Sequence, residues 1–112
     1  MLTLDALRAY GADVDDGLRR CMNMEPFYLK LVNSLKGDPK VDHMKAAIAQ
    51  KDYDAAFEDA HSLKGVYSNL SLTPLLRPVM EITELLRART DTDYSALLNE
   101  ITTQKEKLDA LF

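Results

Sequence analysis

In the segment DYDAAFEDAHSLKGVYSNLSL, residues 52–72, a histidine, His61, is followed by a lysine three residues on and a glycine four residues on. On a helix those offsets bring Lys64 and Gly65 onto the side of His61. A neutral imidazole is a nucleophile, and an ammonium one turn away attracts an anion carried by the ring. Gly65 costs a helix interior about 1 kcal/mol relative to alanine, so a purely structural helix has little use for it. It does remove a side chain beside the ring, which lets a bulky partner or a tetrahedral phosphoryl group approach without a clash. Asp54, Phe57, Glu58 and Ser68 lie three, four or seven residues from His61 and share its side of the helix. Of these, Phe57, Glu58 and Ser68 are the candidates for contact with a partner.

These offsets matter only if the segment is helical, and the apolar pattern says that it is. Tyr53, Ala56, Phe57, Ala60, Leu63, Tyr67 and Leu70 form one stripe at about 100° per residue. Tyr53 and Tyr67 read as core, and Phe57, nearest the edge of the stripe, as core that can also form an apolar rim. His61 falls about 100° around from Ala60, on the border between buried and wet, where a ring is held at its base and still reached. Taken singly, Lys64 would be an ordinary surface lysine, and Gly65 could equally mark a close crossing of two helices.

Other chemistries find less support. Two distant histidines and a single cysteine, Cys21, give no familiar metal spacing, and Glu58 with His61 is one pair that defines no site. No histidine stands where it would activate Ser62, Ser68 or Cys21, and no glycine-rich loop offers to hold a nucleotide. His43, in VDHMKAA, lacks lysine and glycine at the offsets seen after His61 and reads as a solvated helix residue. The methionines, Met22, Met24 and Met44 among them, read as gap-fillers.

The run His61-Ser62-Leu63-Lys64-Gly65, with Asn69-Leu70 and then Leu72 and Leu75, resembles the H-x-L-K-G-x-x-x-N-L-G core of histidine phosphotransfer domains. The match is close from Ala60 to Leu75, and helix order and length are compatible over nearly the whole chain. The resemblance implies an all-α fold: an antiparallel up-and-down four-helix bundle, here with a short extra N-terminal helix. It also implies a phosphocarrier rather than a complete enzyme, with His61 as phosphoacceptor, Lys64 as phosphate-stabilising cation and Gly65 as the clearance residue. Implied partners are receiver domains of response regulators or hybrid histidine kinases in a bacterial two-component phosphorelay. The carrier itself needs no cofactor, and Mg²⁺ is expected on the partner receiver. One departure is visible: the family usually has glycine where this chain has Ser71, which bears on how the helix ends.

The rest of the chain agrees with a small helical protein. Its 112 residues suffice for one domain, residues 1–112, with one modest core. Apolar residues make up 46% and charged residues 29%, with only four glycines and four prolines, a composition rich in apolar surface and poor in loop material. A net charge of −4 with mixed signs argues against nucleic acid or an anionic membrane as partner. A lone cysteine, no signal-peptide pattern and no apolar run near the roughly 20 residues that span a bilayer make cytoplasmic the default. With no large apolar face left over, a monomer is expected.

Five or six helices are predicted. Thr3 can cap a first helix that Gly11 stops, and Asp13 can cap a second. Glu25-Pro26 opens a run to Gly37, either a separate helix or the continuation of a bent one. Asp38-Pro39 and Thr73-Pro74 each read as cap plus proline at the first position, and Asp52 begins the helix of His61. Pro78 then either kinks its helix or delays the regular part to about Arg77. After the polar turn Thr90-Asp91-Thr92-Asp93, a last amphipathic helix carries Tyr94, Leu97, Leu98, Ile101, Leu108 and Leu111.

Function reduces to three readings. In the first, neutral His61 attacks an aspartyl phosphate of a docked receiver, through Nε2 as the outer ring nitrogen, and later passes the phosphoryl group on. In the second, the chain is a non-catalytic helical adaptor that binds a receiver or another signalling partner. In the third it is a packing subunit in which Gly65 is a helix-crossing site.

Overall fold

The computed structural model describes all 112 residues, and its regular elements are helices: α1 (Leu4–Tyr10), α2 (Val14–Arg20), α3 (Glu25–Asn33), α4 (Lys40–Ala49), α5 (Tyr53–Asn69), α6 (Thr73–Arg87) and α7 (Ser95–Asp109). Seven helices stand where five or six were expected, and of the two alternatives for the stretch between Asp13 and Gly37, one bent helix or two, the chain takes two, α2 and α3. The extra division comes from Met22 and Asn23, whose φ values of 56° and 57° turn the chain between α2 and α3. That turn also leaves Met22 and Met24 in solvent, at 76% and 51% exposure, so of the three methionines read as gap-fillers only Met44 is buried.

Several starts follow from capping chemistry. The side chains of Thr3, Asp13 and Asp52 accept from the backbone N–H of Ala6, Asp16 and Ala55, each a cap of about 1 kcal/mol. The two proline starts are displaced by one residue. Pro39 is itself the cap residue of α4, with Asp38 accepting from Lys40 N–H at 3.1 Å, and Leu72 caps α6, so that Thr73 and Pro74 are its first two residues. Helix α6 runs unbroken through Pro78, with no delay to Arg77. The proline forgoes the bond back to the Pro74 carbonyl, and its ring is buried.

Most helices end in the left-handed region on residues that are not glycine. Met22, Lys51, Ser71 and Arg89 have φ between 53° and 58°. At each, the next residue's N–H reaches back five residues: Asn23 to Leu18, Asp52 to Ala47, Leu72 to Tyr67 and Thr90 to Leu85, at 2.7–3.0 Å. This arrangement satisfies carbonyls that a helix end would otherwise leave bare. Ser71, where glycine was expected from the resemblance, takes the conformation that glycine adopts freely. Its hydroxyl donates to Asp16 Oδ2 and its carbonyl accepts from Asp13 N–H at 2.9 Å.

Helix α4 packs on α5, α5 on α6, α6 on α7, and α7 returns to α4. Between them lie Val41, Met44, Ala47, Ala56, Ala60, Leu63, Tyr67, Leu75, Val79, Ile82, Leu86, Ile101 and Leu108, all buried. A leucine so placed contributes about 1.5–3 kcal/mol of burial free energy. The N-terminal helices close one end: Tyr10 Oη donates to the Gln104 carbonyl at 3.1 Å and Tyr28 Oη to the Leu70 carbonyl at 2.9 Å. Burial pushes the Tyr28 phenol up to about 12. Gly17 lets that ring lie against α2, since a Cβ there would stand 2.6 Å from Tyr28 Cε1. No helix is long and apolar enough to cross a membrane.

Candidate functional site

Helix α5 buries Ala56, Ala60, Leu63 and Tyr67, and this fixes what its opposite flank presents. His61 is exposed there, Lys64 is half-buried one turn on, and Gly65 is open to solvent. A Cβ built on Gly65 would have no heavy atom within 4 Å. That overturns the helix-crossing reading, because a glycine at a crossing has the neighbouring helix against its Cα. The missing side chain instead leaves free volume on the His61 side of α5.

The imidazole is positioned by stacking. The Phe57 and His61 rings lie 5.7 Å apart between centroids with 23° between their planes. Phe57 is half-buried, so it fits the apolar rim better than the core. Its ring also carries two guanidinium groups, with Arg87 Cζ 5.1 Å and Arg89 Cζ 4.9 Å from the centroid. Neither arginine was singled out from the sequence. Both come from the C-terminal end of α6, which lies beside α5, and only the packing reveals the juxtaposition. A guanidinium-on-aromatic contact at an exposed site is worth about 0.5–1 kcal/mol.

The two arginines are held differently. Arg89, at the left-handed end of α6, donates through Nε to Asp54 Oδ1 at 2.6 Å and through Nη1 to the Leu86 carbonyl at 2.7 Å. It therefore caps α6 and ties it to α5. Arg87 has, besides the Phe57 ring, one ion pair, from Nε to Glu84 Oε2 at 3.4 Å. Lys64 belongs to none of the chain's ion pairs.

Of the other candidates, Ser68 is half-buried and lies two turns beyond His61 on the same flank, while Glu58 is exposed and turned further toward solvent. Thus Phe57, His61, Lys64, Gly65 and Ser68 share one flank, with Glu58 at its outer edge. His43 is on the surface, but it is not simply solvated: its Nδ1 pairs with Asp59 Oδ2 across the α4–α5 contact. Ser62, on another side of α5, accepts from Lys40 Nζ at 3.2 Å and takes no part in the His61 surface. Five surface cavities, of about 320–600 Å³, have neither His61, Lys64 nor Gly65 in their lining. An exposed ring on an open flank suits a macromolecular partner better than a small substrate, which needs a concave site.

A family model described as Hpt domain matches residues 35–111, more than half of the chain. The matched stretch takes in α4 to α7 whole and leaves α1, α2 and α3 outside. No curated protein and no solved structure matches the chain.

Proposed function

The chain belongs to the Hpt domain family, whose members carry phosphoryl groups on histidine in two-component signalling, and on that premise we propose that His61 is the phosphoacceptor of a phosphorelay. The observation that carries the reading is the open volume at Gly65 beside an exposed imidazole. In this reading α4 to α7 form the family's antiparallel four-helix bundle, α1 to α3 are an N-terminal addition that braces one end, and residues 1–112 act as one unit.

The transfer is an in-line displacement at phosphorus. The Nε2 lone pair of His61 forms an N–P bond while the P–O bond to the receiver's aspartate breaks, and the carboxylate leaves with the bonding electrons. A second receiver reverses the step: its aspartate oxygen attacks phosphorus and the imidazole leaves. Phosphoryl transfer depends mostly on positioning and charge stabilisation. The stacked Phe57 ring restrains the imidazole while leaving the residue exposed. Lys64, free of any carboxylate partner, faces the charge on the transferred group, and Gly65 leaves room for its oxygens. The receiver brings its own Mg²⁺ and acidic site. Phe57, Glu58 and Ser68 rim the docking surface, with α6 as the neighbouring helix.

The test is transfer of labelled phosphate from a panel of phosphorylated receiver domains to the purified chain, with His61→Gln alongside. We expect acid-labile, base-stable label on the native chain, none on the variant, and the same circular dichroism spectrum for both. Binding of a receiver without label on the native chain would refute the carrier reading and favour the adaptor.

A further inference from the structure

We infer that His43 is a second phosphate-accepting histidine, served through Nε2 by a small activated phosphoryl donor and not by the partner that docks at His61. The inference stands apart from the phosphocarrier reading and starts from the pairing of His43 Nδ1 with Asp59 Oδ2 across the α4–α5 contact. An ionised carboxylate only accepts, so Nδ1 carries the hydrogen of that bond and the lone pair of the neutral ring is left on Nε2. The Asp59 side chain is 15% exposed and that of His43 is 68% exposed. The anchor is therefore mostly buried, while the ring it holds is open to solvent.

These are the parts of an oriented nucleophile. When an imidazole nitrogen bonds to phosphorus, positive charge develops on the ring, and a carboxylate at the other nitrogen stabilises that charge while fixing the tautomer. His61 is restrained by stacking on Phe57 instead. The surroundings of His43 also suit a phosphoryl group. The residues three and four on along α4 are Ala46 and Ala47, so no long side chain overhangs the ring from that turn. One turn the other way is Lys40, half-buried, whose Nζ donates to Ser62 Oγ at 3.2 Å on the same seam between α4 and α5. Lys40 belongs to none of the chain's ion pairs, and an ammonium has three N–H donors, so two remain for an anion. Asp59 precedes His61 by two residues and so points about 200° around α5 from it. A partner docked on His61 does not cover that side, which leaves His43 to donors small enough to need no docking surface.

Phosphoramidate is such a donor: His43 Nε2 forms the N–P bond as the donor's P–N bond breaks, ammonia leaves with the bonding electrons, and the Nδ1 hydrogen stays against Asp59. The test uses the full chain with His61→Gln, in which His43 is the only histidine, and the same chain carrying Asp59→Asn or Asp59→Ala. Each is incubated with phosphoramidate, and ³¹P NMR follows the amount and the isomer of phosphohistidine, with N-acetylhistidine as an unrestrained imidazole. We expect His61→Gln to take label at Nε2 alone, about three- to tenfold faster than the Asp59→Asn chain, as the loss of one charge-assisted bond implies. Asp59→Ala frees Nδ1, and label should then appear on both nitrogens. No label on His61→Gln, label at its Nδ1, or a rate and isomer unchanged by either Asp59 substitution overturns the inference and leaves the carrier reading intact. Matching circular dichroism and melting curves establish that the variants are folded, and the isosteric asparagine keeps the rate comparison available if alanine loosens the α4–α5 contact.

Discussion

Replacing Gly65 separates a site residue from a structural one, because stability and transfer should move in opposite directions. The glycine lies inside a 17-residue helix, and a Cβ on it meets no atom within 4 Å. Alanine there gains about 1 kcal/mol of helix propensity, part of it from a less flexible unfolded chain, with no clash to set against it. For a domain of this size that corresponds to a rise in melting temperature of about 4 °C. Glutamine and leucine are also good helix formers, so both should keep most of the gain. Their effect on transfer is graded by bulk. An alanine methyl stands clear of the imidazole and slows phosphate uptake modestly, whereas leucine fills the volume that the incoming group needs. Displacing a reacting group by about 1 Å costs roughly a hundredfold in rate, and we expect leucine to approach that figure. Thermal unfolding by circular dichroism and uptake from one phosphorylated receiver, run on the same preparations, give both quantities. A fall in melting temperature for Gly65→Ala, or native transfer by Gly65→Leu, would refute the reasoning.

Three further outcomes follow from the end of the molecule that α1, α2 and α3 close. Gly17→Ala drives a methyl into the buried Tyr28 ring, 2.6 Å from Cε1, and should destabilise by about 1–3 kcal/mol in urea unfolding, in contrast to the gain at Gly65. Ser71→Ala keeps a left-handed conformation at φ 54° while losing the bond to Asp16, whereas Ser71→Gly loses the bond but sheds the conformational cost, so glycine should exceed alanine by about 1 kcal/mol. The Ser71 hydroxyl, then Arg20, holds the Asp16 carboxyl down to about 2 in the folded chain. The folded state thus binds that proton less tightly than the unfolded one; the stabilisation is complete above the ordinary carboxylate pKa of about 3.8 and is lost as the pH falls through about 2. Urea midpoints measured between pH 5 and pH 2 should fall more steeply for native protein than for Asp16→Asn, and parallel curves would count against the link.

That His61, Lys64 and Gly65 share one flank was legible in the residues because the arrangement is local. His61, Lys64 and Gly65 lie within five residues of one another, and a helix alone dictates that they share a side. The apolar stripe of α5, with Ala56, Ala60, Leu63 and Tyr67 buried, needed only the helical period to read. Thr3, Asp13 and Asp52 announced their helices because a cap acts on N–H groups two or three residues away. Helix ends were harder. The chain closes four helices on Met22, Lys51, Ser71 and Arg89, residue types that carry no signal for a left-handed turn, and the cost is offset by bonds that exist only once the turn has formed. Gly17 gave no hint of its role, since the ring that needs its missing side chain arrives from another helix. The same holds for the neighbours of His61. Whether Gly65 faces a helix or solvent, and that Arg87 and Arg89 reach the Phe57 ring from the far end of α6, depends on how α5 and α6 pack. Short-range geometry is a property of the chain's covalent repeat and can be counted along it; contacts between helices depend on which faces the whole core buries, and only the folded molecule decides that.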